Sequence, residues 1–130
     1  MPIIWLSSFI NKANAAAQRI YNILSEPVLP QTQNPQQPVD TSISFQDVTF
    51  SYSNGGNPAL SEINCDMLPG SVTALIGTSG AGKSTVAKLI PRFWDVDTGA
   101  IKIGGVDVRE MTSETLMSYV SFVFQDTFLL

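Results

Sequence analysis

Apolar and polar positions change their spacing repeatedly along this chain, and each change marks an element. Residues 1–10 carry Ile3, Ile4, Trp5, Leu6, Phe9 and Ile10, followed by an alanine-rich stretch. Ala15, Ala16, Ile20, Ile23 and Leu24 continue a stripe at helical spacing, so one helix is expected to about residue 25. Three readings compete for it. A signal peptide places its cations ahead of the apolar core, whereas Lys12 follows the run, although the alanines imitate a cleavage site. A spanning helix needs about 20 apolar residues, and the run is about half that. The third and preferred reading is the final turns of a longer helix.

Pro27, Pro30, Pro35 and Pro38 then stand among Gln31, Gln33, Asn34, Gln36 and Gln37. Proline blocks helix interiors and the stretch has little to bury, so residues 27–42 read as an extended linker; a structured surface loop fits the same composition. Ile43, Phe45, Val48, Phe50 and Tyr52 form an aromatic and β-branched run that ends in a turn cluster at residues 53–58. Ile63, Cys65 and Met67 alternate as far as Pro69-Gly70. The two runs predict an antiparallel hairpin. Residues 72–76, Val-Thr-Ala-Leu-Ile, read as a strand buried on both faces. Val86, Ala87, Leu89 and Ile90 return to helical spacing and stop at Pro91.

Composition narrows the classes. Hydrophobic residues make up 44% and charged residues 14% of the 130, the latter below the roughly 25% of an average globular chain. That argues against a disordered polyelectrolyte. The formal charge of -4 offers no basic face for phosphate counterion exchange, so no nucleic-acid partner is expected. Histidine is absent, which removes histidine bases, Ser-His-Asp triads and histidine metal ligands. With Cys65 the sole cysteine, neither an internal disulfide nor a zinc site is expected.

Between strand 72–76 and the helix lies Gly77-Thr78-Ser79-Gly80-Ala81-Gly82-Lys83-Ser84, which fits G-x-x-x-x-G-K-[ST] at every specified position. Glycines let the backbone curl so that successive N–H groups face one anion. The helix starting near Lys83 adds its positive end. Lys83 is expected to reach the β- and γ-phosphates, and the Ser84 hydroxyl to complete a Mg²⁺ shell. The motif and its flanks predict a phosphate-binding loop rather than a flexible Gly/Ser connector. By itself it leaves the base and the reaction open.

Residues 43–130 resemble the ATP-binding domain of an exporter-type ABC transporter. FQDVTFSYSNGGNPAL is similar to the family's opening strand and adenine-stacking loop, with Tyr52 in the place of the aromatic. LPGSVTALIGTSGAGKST resembles its P-loop region, IPRFWDVDTGAIKIGGVDV its following hairpin, and YVSFVFQDTFLL the strand leading to its Q-loop. The resemblance implies an α/β fold: a partial P-loop NTPase core with an antiparallel β subdomain, preceded by an N-terminal helix. It implies ATP and Mg²⁺ as ligands. Gly77, Ser79, Gly80, Ala81, Gly82, Lys83, Ser84 and Thr85 would hold the phosphates, Tyr52 the adenine, and Ser84 and Gln125 the metal. ANAAAQRIYNILSEP resembles the end of an exporter's last transmembrane helix. Residues 1–26 are therefore expected to be a helical segment, 27–42 the linker and 43–130 the first part of the ATP-binding domain.

Implied partners are the transmembrane domain of the same transporter and a second ATP-binding domain, at the cytoplasmic face of the plasma membrane. The family's signature loop, Walker B aspartate, catalytic glutamate and switch histidine belong beyond Gln125, so the chain is expected to bind ATP without hydrolysing it. A non-catalytic fragment and a different P-loop NTPase or kinase stand as alternatives. Asp107 and Glu110 are expected on a solvated loop face. Trp94 is expected to pack beneath the P-loop helix or to meet the membrane domain.

Overall fold

Four antiparallel strands, β1 (Ile43–Phe50), β2 (Leu60–Met67), β3 (Thr98–Ile103) and β4 (Val106–Asp107), form one sheet in the order β2-β1-β3-β4. The computed structural model describes residues 3–25, 28–53 and 55–124. β1 is central and pairs with β2 on one side and β3 on the other, which confirms the expected hairpin. Its apolar residues change phase between Phe45 and Val48, and the ladder shifts register there on both sides. Asp47 takes a φ of 49° in this bulge. The extra residue resets the two-residue alternation, so Phe45, Val48 and Phe50 all face the core.

Helix α2 (Lys83–Leu89) contributes Val86 and Leu89 to that core, and α3 (Ser113–Tyr119) contributes Leu116. Ile101, Ile103, Val106, Val108 and Met111 complete it. Thr112 caps α3 by accepting a hydrogen bond from the Thr115 N–H at 3.1 Å. The architecture is the mixed α/β arrangement implied by the resemblance. Helix α1 (Ile3–Leu24) covers the expected stretch, and its side chains from Phe9 onward are exposed. Among the described residues no helix is long and apolar enough to cross a membrane.

Residues 28–42 form neither helix nor strand, yet they are tied to the body. Arg92 Nη2 donates to the Pro30 carbonyl at 2.8 Å. The Gln36 N–H donates to the Glu110 carbonyl at 2.9 Å, and the Val39 N–H to the Gly104 carbonyl at 3.2 Å. Gly104 has a φ of 53°, and a Cβ there would lie 2.8 Å from Pro38 Cβ. Only glycine lets the β3–β4 turn pass so close beneath this segment.

The expected strand at 72–76 does not form. Residues 71–77 form neither helix nor strand and hydrogen-bond to no strand among the described residues, and all are exposed. An apolar run becomes a strand only when neighbours satisfy its N–H and C=O groups, and the four-stranded sheet is built from other segments.

Candidate functional site

Gly82 ends the loop in left-handed conformation (φ 80°) as the residue before α2. A Cβ there would stand 2.6 Å from Leu60 Cδ2 and 2.8 Å from the Ala59 carbonyl. The glycine thus meets two demands together: a backbone turn that L side chains resist, and close contact with the start of β2. At Gly80 an added Cβ would meet nothing within 4 Å, so the outer side of the loop is open.

Lys83 folds back across the loop. Its Nζ donates to the Gly77 carbonyl at 3.0 Å and the Thr78 carbonyl at 2.7 Å, placing a positive charge against the start of the loop. The Ser84 side chain is exposed one residue further on. The first N–H groups of α2 lack intrahelical carbonyl partners, as in any helix, and add partial positive charge. An ammonium, a hydroxyl and free amides around an open turn suit a phosphate group.

Two expected loop groups are differently employed. The Ala81 N–H donates within the loop, to the Thr78 carbonyl at 3.2 Å. The hydroxyl of buried Thr85 shares a hydrogen bond of 3.0 Å with the Tyr52 hydroxyl. Tyr52 is thereby brought to the P-loop helix from the end of β1. Its ring stands edge-to-face against Phe50 (4.9 Å, 81°) and Trp94 (5.3 Å, 87°). Trp94 therefore packs against Phe50, Tyr52 and Phe93. Gln125 lies outside the described residues.

Two features beside the site were not anticipated. Asp107 belongs to β4 and accepts three hydrogen bonds from Arg109: from its N–H at 2.9 Å, Nε at 3.0 Å and Nη2 at 2.7 Å. That pair raises the already high Arg109 pKa, against partial desolvation. Asp107 is thus an anchor rather than part of a solvated loop face, whereas Glu110 is exposed. Arg92 grips Asp95 in a two-pronged pair (2.6 and 3.0 Å) while holding Pro30. Arg92 has a φ of 56°, and no local pattern announced that conformation.

The protein-family model described as ABC transporter matches residues 60–130, more than half of the chain. The chain belongs to the ABC transporter family. It is 45% identical over 113 residues to the mycobactin import ATP-binding/permease protein IrtA of Mycolicibacterium smegmatis, a match covering 86% of this chain and 13% of that protein. It is 35% identical over 121 residues to the ATP-dependent lipid A-core flippase of Thiobacillus denitrificans, covering 92% of this chain and 21% of the flippase. Among solved structures, a bacterial Atm1-family ABC exporter with ATP bound superposes with a TM-score of 0.69 at 27% identity, covering 88% of this chain and 20% of the exporter. This ABC-family chain therefore spans about a fifth or less of the length of these relatives.

Proposed function

We propose that this chain supplies the phosphate-gripping part of an ATP-binding domain in an exporter-type ABC transporter, which couples ATP hydrolysis to transport across a membrane. The observation that carries this reading is the loop itself. Gly82 is packed on β2 and the Lys83 ammonium lies across the Gly77 and Thr78 carbonyls, on the face that a triphosphate would occupy. Gly77, Ser79, Gly80 and Gly82 shape the turn, Lys83 exchanges its carbonyl partners for phosphate oxygens, and Ala81 braces the loop from within. Tyr52 is the base platform.

ATP brings the anhydride whose cleavage drives transport, and Mg²⁺ neutralises its phosphate charge. Ser84 is the metal-facing hydroxyl, with Gln125 as the second metal-facing group. Among the described residues no cluster of three or more Cys, Asp or Glu side chains is placed to hold an ion. The relatives named as ATP-binding/permease protein, flippase and exporter support a transmembrane domain as partner. A second ATP-binding domain across the nucleotide and a position at the cytoplasmic face of the plasma membrane complete the proposal. The segment 1–26, the linker 27–42 and the domain portion 43–130 fit that arrangement.

Thermal or urea unfolding with and without Mg-ATP tests the reading. At about 100 times its dissociation constant, ATP should add about 2.7 kcal/mol to the folded state of the wild-type chain. Lys83→Ala should lose that gain while unfolding normally without ligand. A cooperative transition that ATP leaves unmoved in the wild type rejects the proposal.

A further inference from the structure

We propose that Thr85 and Trp94 are positioning residues that hold the Tyr52 ring as a preformed platform for the nucleotide base. This rests on the nucleotide reading above. Tyr52 follows the end of β1, where the strand ladder no longer fixes the chain. A tyrosine in such a place ordinarily samples several rotamers, and ordering it on binding costs affinity. Here it is fixed from two directions. Its polar tip shares the 3.0 Å hydrogen bond with Thr85, a residue only 6% exposed, so water competes poorly for that bond. Its ring is flanked by Trp94 and Phe50 at nearly right angles, and those two rings meet each other at 6.1 Å.

Tyr52 nevertheless remains 54% exposed. An aromatic residue tethered at its tip, flanked by two rings and still half exposed can receive a planar group by stacking. The tether also sets the distance between platform and phosphate loop, because Thr85 follows Lys83 and Ser84 directly in α2. Base and phosphates are thus gripped by parts of one unit. A triphosphate without a base would use the loop and ignore the platform.

That difference supplies the test. Calorimetric titration of the full chain with Mg-ATP and with Mg-tripolyphosphate would be compared for wild type, Tyr52→Phe, Thr85→Ser and Trp94→Leu. Tyr52→Phe removes only the tether, and Trp94→Leu removes the flanking ring. Each should weaken ATP about threefold to tenfold and leave tripolyphosphate within about twofold, the scale of one hydrogen bond or aromatic contact. Thr85→Ser keeps the hydroxyl and should retain wild-type affinity for both ligands. Unchanged ATP affinity in Tyr52→Phe and Trp94→Leu overturns the proposal, as does an equal loss of ATP and tripolyphosphate, which would mark a merely structural role. Loss of ATP in Thr85→Ser overturns the part assigned to the hydroxyl. A wild-type chain that binds neither ligand removes the nucleotide reading itself, an outcome distinct from the others.

Discussion

β1 and the segment 72–76 are written in much the same alphabet, yet they meet opposite fates. Phe45, Val48 and Phe50 of β1 are buried, while Val72 is fully exposed and Ile76 is 92% exposed. β1 has a partner along each edge; the segment leading into the phosphate loop is paired with none of the described residues. Apolar composition states how much a segment would gain from burial. A strand is a property of pairs, and the partner may lie anywhere in the sequence.

Substitutions on the two sides of this contrast should differ by several kcal/mol. Phe45→Ala, which empties the centre of the sheet's inner face, should cost about 3–5 kcal/mol in urea unfolding. A loss below about 1 kcal/mol would mean that β1 is no better packed than the loop segment. Arg92→Met stands between the extremes, because it keeps the apolar stem but abandons the Asp95 carboxylate and the Pro30 carbonyl. It should cost about 1.5–3 kcal/mol, and faster proteolysis within residues 28–42 should accompany the loss. Gly82→Ala imposes a left-handed alanine and a clash with Leu60, at about 1–2 kcal/mol for the backbone alone. It should also weaken ATP in titration, since the loop must back away from β2. Ile76→Ser should change stability by no more than about 0.5 kcal/mol while reducing light scattering on concentration. A large destabilisation from Ile76→Ser would show that this segment is buried in solution and would erase the contrast.

Much of this was legible from local pattern. The hairpin followed from the runs around Phe45 and Cys65, and the phosphate loop from residues whose chemistry and spacing are specific. The long helix followed from an alanine-rich stripe. What was hidden depended on distant partners. The Arg92 contact with Pro30 spans 62 residues, and neither residue type signals it. Asp107 looked like a surface acid because its anchor, Arg109, is two residues away across a 3₁₀ turn (Val108–Glu110) that the pattern did not suggest. The exposure of residues 72–76 was likewise illegible, since their spacing describes a demand for burial and not its supply. At the candidate site the residue types were evident, but the use of the Thr85 hydroxyl by Tyr52 was not.

The seven residues of α2 make a rod about 10 Å long, at 1.5 Å per residue. One end carries Lys83 and the loop; just past the other, Arg92 is hooked onto the Pro30 carbonyl. The same short helix thus carries the phosphate loop at one end and, just past the other, the tie to residues 28–42, so the two attachments sit about one helix length apart.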